Sequence, residues 1–319
     1  MRLIRAALIV AVIVAVALAA AGAAPGATPV AQTRITQPFA GVTFIDRTET
    51  APRAMHIRIV QIDLTAPGLR FELSAPTGTR EVRRETTTDF LRRSKAQIAI
   101  NGHFFLPFPT TDSDVWVIGL AASGGRVFSA FETAEQSYAI VADAPALNID
   151  SHNRASIVHR EPSSTDGHRV RERVELWTAL AGSAQVVTNG QVTIPEYRDA
   201  AHPAGVLTPG GPRSYSNANS WYAVVTARTA IGLSRDRRTL TLFVVDARGG
   251  SLGMAVGEVA ALLVADYGVT DALNLDGGGS SSLAMTDPVS GATSLINTSS
   301  DNPAGRAVGS SLAVFAGRR

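Results

Sequence analysis

Apolar and polar residues alternate along much of the chain with the period of two that is typical of β-strands. The clearest early segments are 55–64 and 69–74, and the turn residues Pro67 and Gly68 separate them, so we expect these segments to form a strand pair. The same alternation predicts further strands at 97–101, 115–120, 126–130, 138–142 and 239–246. The sequence therefore predicts a domain built around a large β-sheet.

Two segments have the 3.6-residue period of a helix instead. Residues 86–93 place hydroxyl groups ahead of a short amphipathic turn, and apolar residues recur at helical spacing through 256–267 before the helix-ending Gly268. The second helix lies between predicted strands at 239–246 and 272–276. A helical connection of this length normally joins parallel strands, so we expect the carboxyl ends of both strands at one edge of the sheet.

The most informative stretch is 274–282, which reads Asn-Leu-Asp-Gly-Gly-Gly-Ser-Ser-Ser. Asn274 and Asp276 would project from one face of a strand end, and the crossover would bring Asp246 and Arg248 to the same edge. Successive glycine N–H groups in a tight turn attract anions, and serine hydroxyls can add donors. The predicted anion site comprises Gly277, Gly278, Gly279, Ser280 and Ser281. The simpler alternative is a Gly/Ser-rich turn that an aspartate caps.

The N-terminal residues predict export. Arg2 and Arg5 precede an uninterrupted small and apolar run, which is typical of a signal peptide, with a retained membrane anchor as the alternative. We therefore assign residues 1–24 to a signal peptide, 25–40 to a linker and 41–319 to one domain. The expected location is secreted, periplasmic or extracellular, with no stable membrane insertion after cleavage of the signal peptide.

Composition argues against nucleic-acid binding and excludes cysteine-based chemistry. The chain has 29 Lys and Arg against 27 Asp and Glu, and loss of Arg2 and Arg5 with the signal peptide would leave 27 of each. A formally neutral protein offers no electrostatic reason to bind nucleic acid. The sequence contains no cysteine, which excludes disulfides, thiolate catalysis and cysteine-ligated zinc.

Several separate motifs resemble those of the phosphodiester glycosidase family. They are Ile-Ala-Ile-Asn-Gly-His-Phe-Phe at 98–105, Ala-Arg-Thr-Ala-Ile-Gly at 227–232, Val-Val-Asp-Ala-Arg at 244–248, Glu258, the stretch 274–281, and Arg306 ahead of an apolar final strand. An ordered set of this kind is far more specific than any one motif. Two positions depart from the family pattern, because His103 stands where a small residue is common and Ala247 replaces a usual glycine.

The resemblance implies an α+β (mixed α/β) fold, with one large mixed β-sheet domain flanked by helices, and a secreted or lumenal hydrolase. Its substrate would be a glycosyl-phosphodiester, cleaved between the anomeric carbon of a sugar and a phosphate oxygen, on envelope or extracellular glycans such as exopolysaccharide. Phosphate is a good leaving group, so charge neutralisation by arginine matters more than a strong general acid. An oxocarbenium-like transition state also needs a carboxylate, as nucleophile or as base for water.

These requirements and the resemblance give the candidate residues. Asp276 is the first choice for the carboxylate and Asp246 the second, and the resemblance adds Asn101 and Glu258 as catalytic candidates. The substrate-binding candidates are Arg228, Arg248, Arg306, His103 and Asn274, together with Gly277, Gly278, Gly279, Ser280 and Ser281.

Ordinary structural roles are the alternative for several candidates. Asp246 could cap the helix after its strand, and Glu258 could be a surface group or a buried partner for arginine. Arg228 could pair with an acid at a solvated edge. Asn101 could satisfy the backbone of a turn, and His103 could be a packed imidazole and not a proton shuttle.

Other functional classes are less consistent with the sequence. Residues 249–253 fit the G-x-S-x-G elbow of serine hydrolases, but all six histidines precede Ser251, whereas the catalytic histidine follows the serine in that fold. A P-loop is excluded because no lysine follows the glycines before Ser280. A non-catalytic carbohydrate- or phosphate-binding envelope protein is the remaining alternative. It would keep the anion site and sugar-stacking loop aromatics such as Tyr197 and Tyr215.

The sequence gives only a weak signal for a cofactor. Asp112 and Asp114 could offer two oxygens to a divalent cation such as calcium, although loop acids at this spacing are common. The sugar, the stereochemical outcome, the metal requirement and the oligomeric state stay open at this point.

Overall fold

The computed structural model describes residues 31–131, 143–194 and 221–318. The predicted signal peptide and the predicted strand at 138–142 lie outside these residues, as do Tyr197 and Tyr215. Within the described ranges, no helix has the length and apolar character that a membrane crossing requires.

β-Strands make up most of the regular structure, with two α-helices and one 3₁₀ turn in the described residues. Numbered in chain order, the strands are β1 (Gln32–Phe39), β2 (Val42–Glu49), β3 (Met55–Asp63), β4 (Arg70–Leu73), β5 (Val82–Arg83), β6 (Glu85–Thr86), β7 (Ile98–Asn101), β8 (Phe105–Leu106), β9 (Asp114–Val117), β10 (Ala121–Ser123), β11 (Arg126–Ser129), β12 (Ala146–Ile149), β13 (Ala155–Val158), β14 (Thr178–Ala181), β15 (Ala184–Thr188), β16 (Gln191–Val192), β17 (Arg228–Ser234), β18 (Thr239–Val245), β19 (Val269–Asn274), β20 (Leu283–Thr286), β21 (Thr293–Leu295), β22 (Ala307–Val308) and β23 (Ser311–Phe315). The helices are α1 (Thr87–Ser94) and α2 (Val256–Tyr267), and the 3₁₀ turn covers Gly278–Ser280.

The strands form one large sheet and four smaller ones. The large sheet has the order β1-β2-β3-β18-β17-β19-β15-β16, two five-stranded sheets have the orders β11-β10-β14-β12-β13 and β21-β20-β7-β23-β4, and β22-β6 and β5-β9-β8 are small. Neighbouring strands are antiparallel throughout the described part of the chain. Strands β18 and β19 both pair with β17, so they run parallel to each other as predicted, with one strand between them.

The core consists of stacked layers. Ile59 of β3 and Phe243 of β18 belong to the apolar cluster that packs against α2. Their neighbours Val60 and Leu242 belong to the cluster that the large sheet shares with the two five-stranded sheets. Phe90 of α1 packs on the outer face of the β21-β20-β7-β23-β4 sheet. A helix thus covers each outer face, and because both faces of the large sheet are buried, its strand ends are the places where polar chemistry can collect.

Both predicted helices are present with the expected ends. The Thr86 side chain caps α1 by accepting the Asp89 N–H at 3.1 Å, and α2 ends at Gly268, whose φ of +64° is left-handed. The strand predicted at 115–120 ends at Val117, and the turn at Gly124 and Gly125 joins β10 to β11 in another sheet.

Two predictions about the first strands are wrong. Gln32–Phe39, which the sequence assigned to the linker at 25–40, forms the edge strand β1 and pairs with β2. The expected pair of 55–64 with 69–74 does not form, because β3 pairs with β2 and β18 whereas β4 pairs with β23. The short turn between β3 and β4 carries the chain from one layer to the next and does not close a hairpin.

Candidate active site

The candidate site lies at one end of the eight-stranded sheet. Arg228 begins β17, Asp246 directly follows β18, and Asp276 comes two residues after β19 ends at Asn274. Because β17 is antiparallel to both neighbours, its beginning lies beside the ends of β18 and β19. Asn101, at the end of β7, reaches the same edge, and its Nδ2 donates to the backbone oxygen of Asp276 at 2.6 Å. Four distant segments therefore meet here.

The glycine turn after β19 uses most of its backbone N–H groups within the protein. The Gly278 N–H donates to the Ala227 oxygen at 2.8 Å, and the N–H groups of Ser280 and Ser281 donate to the oxygens of Gly277 at 3.1 Å and Gly278 at 3.2 Å. Gly278 has a φ of +58°, which glycine adopts without strain. The turn thus offers an anion fewer free N–H donors than three glycines suggest, and side chains must supply most of the positive charge.

Arg306 packs directly against this turn. A Cβ atom at Gly279 would collide with the Arg306 guanidinium, so glycine is what permits this close approach. Nη1 of Arg306 donates to the Ser280 hydroxyl at 3.3 Å, and its Nε and Nη2 lie 3.3 and 3.4 Å from the two carboxylate oxygens of Asp301. The guanidinium carbon is 5.1 Å from the centroid of the Phe108 ring. One acid and one aromatic ring therefore hold this cation at the edge of the turn.

Asp276 carries the titratable group nearest the turn. Its half-buried carboxylate accepts hydrogen bonds from the Ser280 hydroxyl and the Gly277 N–H, and the positive charge of Arg306 acts on it. Burial outweighs these interactions and raises the pKa of Asp276 from 3.8 to about 7. A carboxyl group with a pKa near neutrality can take or give a proton at physiological pH.

Arg228 is a fully buried cation on the other side of the turn. Its Nε donates to the Met254 oxygen at 3.1 Å, and its Nη2 donates to the oxygens of Trp221, at 2.7 Å, and Val224. Its guanidinium carbon is 4.8 Å from the centroid of a Trp221 ring. Among the residues that the structure describes, Nη1 has no acceptor. Burial lowers the pKa of Arg228 to about 10, so the group stays charged at neutral pH.

Asp246 is enclosed by protein partners. One carboxylate oxygen pairs with Arg58, and the other accepts from Asn297 Nδ2 at 3.1 Å and the Thr298 N–H at 3.0 Å. Burial raises the pKa of Asp246 in spite of the Arg58 charge. Asn297 also donates to the Ser281 oxygen at 3.1 Å. The structure therefore places Asp246 where it supports the glycine turn through Asn297.

The two asparagines hold polypeptide segments together. Oδ1 of the buried Asn101 accepts from the Thr229 hydroxyl and from the Ser282 N–H, both at 2.9 Å. Nδ2 of Asn274 donates to the Ser183 hydroxyl at 2.8 Å. Both amides thus link the ends of β7 and β19 to neighbouring segments, and Asn101 fixes the backbone of the catalytic candidate directly.

His103 is a buried imidazole between two sheets. Its Nδ1 lies 2.8 Å from the Ser310 hydroxyl, and its Nε2 lies 3.0 Å from both the Leu120 oxygen and the Ala181 nitrogen. Burial lowers the pKa of His103 to about 4, so the ring is neutral at pH 7. Protein atoms satisfy both ring nitrogens, which is the arrangement of the packed-imidazole alternative.

Glu258 and Arg248 lie at the margin of the site. Glu258 stands in the first turn of α2, where it forms an ion pair with Arg53 and accepts the Ala255 N–H at 2.7 Å. This is a helix-capping contact. Nη1 of Arg248 lies 3.4 Å from the backbone oxygen of Asp301, so Arg248 approaches the same residue that holds the other arginine of the turn.

Comparison with known sequences connects this site to a family. Residues 94–315, well over half of the chain, match the sequence profile of the phosphodiester glycosidase family. The chain belongs to the phosphodiester glycosidase family. A bovine relative, N-acetylglucosamine-1-phosphodiester alpha-N-acetylglucosaminidase, is 26% identical over 214 residues, which cover 67% of this chain and 36% of the relative. The chain thus spans about a third of that relative's length.

Solved structures share the phosphodiester glycosidase fold at low sequence identity. The zebrafish N-acetylglucosamine-1-phosphodiester alpha-N-acetylglucosaminidase catalytic domain, auto-inhibited by its pro-peptide, has a TM-score of 0.55 and 18% identity, over 92% of this chain and 85% of that one. A Burkholderia pseudomallei protein described as exported has a TM-score of 0.58 and 15% identity, over 90% and 97%. A hypothetical protein from Synechocystis has 0.58 and 14%, over 86% of this chain and 62% of that one. These likenesses show a common fold.

The candidate site also contains residues that the sequence did not single out. Asp301 and Asn297 lie in the segment between β21 and β22, and Phe108 lies in a loop between two prolines, where no periodic pattern draws attention to it. A search for the acid that balances Arg306 could have found Asp301, which stands five residues before it. Nothing in the sequence indicates that the Phe108 ring lies against Arg306.

Acidic groups that could hold a cation lie elsewhere. Asp112 of the predicted calcium pair forms an ion pair with Arg80 at 2.8 Å, and Asp114 accepts a backbone N–H at 3.1 Å. Within the described ranges, one other cluster brings three ligating atoms within 4.8 Å of one another: Asp150, His152 and Glu175. It lines a cavity of about 750 Å³ beside the turn from β17 to β18, at the opposite end of β17 from the candidate site. A calcium requirement stays a prediction.

Proposed function

We propose that this protein is an exported hydrolase that cleaves a glycosyl-phosphodiester between the anomeric carbon of a sugar and a phosphate oxygen, on envelope or extracellular glycans. The observation that carries the proposal is the environment of Arg228. A fully buried guanidinium with a free Nη1 and no carboxylate contact among the described residues is costly to the folded protein. A phosphate bound at the glycine turn would place the missing negative charge beside this cation.

The position of Arg228 supports a phosphate at the glycine turn. A Cβ atom at Gly277 would lie 3.8 Å from Cδ of Arg228, so this arginine and Arg306 approach the turn from two sides. Both guanidinium groups also lie over aromatic rings, at 4.8 Å for Trp221 and 5.1 Å for Phe108. Aromatic faces beside a charged centre suit a ligand that combines a sugar ring with a phosphate.

Asp276 is the reactive carboxylate in this proposal. In its ionised form it either attacks the anomeric carbon or removes a proton from the attacking water. The bond between the anomeric carbon and the phosphate oxygen breaks, and its electron pair leaves with the phosphate, whose charge Arg228 and Arg306 neutralise. Water supplies the hydroxyl group of the released sugar and the proton that balances the reaction. Asp246 and Asn101 hold the backbone of the turn in place.

The comparisons support the type of bond, and the export proposal rests on the sequence. The bovine relative's name specifies an N-acetylglucosamine-1-phosphodiester, and its 26% identity to this chain over 214 residues supports the same class of linkage. Export is proposed from the N-terminal signal sequence, and the description of the Burkholderia pseudomallei neighbour as exported agrees with it.

The proposal is tested by release of free sugar from a panel of glycosyl-phosphodiesters that differ in the sugar. Wild-type protein should turn over at least one of them. Asp276→Asn should abolish turnover and keep ligand affinity within about tenfold, whereas Arg228→Met should weaken affinity by about tenfold or more. Arg235→Met is the matched control, because this exposed arginine lies just beyond the other end of β17 and should leave both quantities unchanged. Binding without any product across the panel would favour the non-catalytic alternative.

A further inference from the structure

Asp301 lies beside the glycine turn in the neighbourhood of three arginines. Asp301 holds Arg306 in a fork, with distances of 3.3 and 3.4 Å, and its backbone oxygen lies 3.4 Å from Nη1 of Arg248. The third arginine is Arg84, which feels the repulsion of Arg306 and the attraction of Asp301 and Asp112. The Asp301 carboxylate is therefore the counter-ion of Arg306, and its charge also acts on Arg84, whereas Arg248 contacts only its backbone oxygen.

The contacts of Arg306 show what Asp301 controls. Arg306 reaches the Ser280 hydroxyl with Nη1, while the Asp301 carboxylate occupies its Nε and Nη2 edge. The same Ser280 hydroxyl donates to Asp276. Asp301 thus turns one edge of the guanidinium away from the catalytic candidate, and its own charge offsets that of Arg306.

The position of Asp301 in the fold makes this orientation specific. A Cβ atom added at Gly279 would lie 3.0 Å from the Cβ of Asp301, so Asp301 packs against the turn itself. The Asp301 N–H donates to the Ser299 hydroxyl at 3.2 Å. The side chain is 38% exposed on the solvent side of the cluster, in contrast to the buried Asp246. A solvent-accessible counter-ion can adjust the charge of a site without being part of the core.

We propose that Asp301 is a positioning residue that sets the charge of the phosphate site by holding Arg306 away from Asp276 and by neutralising one of the three neighbouring arginines. The inference rests on the proposed function, since the phosphate site is the one described there. Two consequences follow from the geometry. Without Asp301, Arg306 is free to pair with Asp276, and the site carries one more positive charge toward any anion.

The first test is a titration. The charged groups around Asp276 are Arg306, which acts on it directly, Arg228 beside Gly277, and the Asp301 counter-ion. An opposite charge that moves within about 4–6 Å lowers the pKa of a carboxyl group by at least one pH unit. Asp301→Asn should therefore lower the apparent pKa of Asp276 by about one unit, a tenfold change in proton affinity, followed by carbon-13 NMR of the carboxyl group.

The second test is the affinity for inorganic phosphate, measured by calorimetry at pH 7.5. Asp301→Asn should bind phosphate several-fold more tightly than wild type, and Asp301→Glu should restore both the wild-type affinity and the wild-type titration. Asp287→Asn is the control, because Asp287 is an exposed turn residue whose contacts are Ser290, Val289 and neighbouring backbone. It should change neither quantity.

The outcomes separate this inference from the proposed function. A purely structural role for Asp301 predicts that Asp301→Asn lowers stability or turnover while the titration and the phosphate affinity stay at wild-type values, and that result would overturn the inference. Both measurements need no turnover, so they report on Asp301 even if no glycosyl-phosphodiester is cleaved. Absence of turnover in the wild type, with the two shifts present, would reject the hydrolase and leave Asp301 as the counter-ion of an anion site.

Discussion

Asp276→Asn should stabilise the folded protein above pH 7 and remove turnover. Burial raises the pKa of this carboxyl group from 3.8 to about 7. Between these two values the folded protein keeps the proton and the unfolded chain has lost it. Since stability falls with rising pH wherever the folded state binds more protons, the ionised carboxylate destabilises the fold progressively up to pH 7 and fully above it.

The size of the effect follows from the two pKa values. Each tenfold change in proton affinity corresponds to about 1.4 kcal/mol, so a rise from 3.8 to about 7 costs at most about 4 kcal/mol at pH 8. Asparagine has the same shape and no charge to bury. We therefore expect Asp276→Asn to exceed wild type in free energy of unfolding by about 2–4 kcal/mol at pH 8 and to match it near pH 4.

Urea unfolding followed by circular dichroism at pH 4.5, 6 and 8 measures this difference. Asp236→Asn is a control of opposite sign, because hydrogen bonds from the Ser234 hydroxyl and the Arg238 N–H lower the pKa of the exposed Asp236. This control should not stabilise the protein at pH 8. A difference between Asp276→Asn and wild type that stays constant from pH 4.5 to 8 would refute the raised pKa of this carboxyl group.

Three further predictions address the surroundings of the site. Asp246→Ala removes the fully buried partner of Arg58, which would keep only its 3.4 Å ion pair with Asp46, and should lower the free energy of unfolding by about 3–5 kcal/mol in urea titrations, a loss that a solvated pair would not show. His103→Asn should leave the pH dependence of kcat/KM between pH 5 and 8 unchanged, because burial keeps the pKa of His103 at about 4; a lost titration step would contradict this. Phe108→Ala should raise KM about tenfold if the 43% exposed ring stacks on substrate, whereas Trp116→Ala, 46% exposed beside Arg80, should stay within twofold in the same kinetic assay.

The sequence predicted those parts of the fold that depend on local pattern. Helix α2 and strand β18 carry long apolar periods with clear ends, and both were placed within a residue or two of their observed bounds. Strand β1 was missed because its side chains are mostly exposed and polar, which makes an edge strand similar to a linker in composition. The pairing of β4 with β23 was missed because partners more than 230 residues apart leave no local signal.

The candidate site likewise contains residues that local motifs reveal and contacts that only the fold reveals. Asp276, Arg228 and Arg306 belong to distinctive motifs, and the structure brings all three to the glycine turn. The burial of Asp246 against Arg58 could not be derived from the sequence, because the two residues are 188 positions apart and their contact depends on the neighbouring strands β3 and β18. The proposed role of Asp301 depends on the contact between Arg306 and Ser280, which are 26 positions apart, and only the folded chain shows that contact.

Two costly features at one place argue that this edge of the sheet is built for a ligand. Arg228 is a buried cation with a free Nη1 in the described structure, and Asp276 is a carboxyl group whose ionised form the fold disfavours. Each keeps an unsatisfied or disfavoured charge in the free protein, although the same fold satisfies Asp246 and Asn101 nearby with several partners each. A glycosyl phosphate would relieve both at once, because its phosphate pairs with the guanidinium while positive charge that develops at the anomeric carbon favours the ionised carboxylate. The unfavourable energy of the free site would then lower the barrier to cleavage.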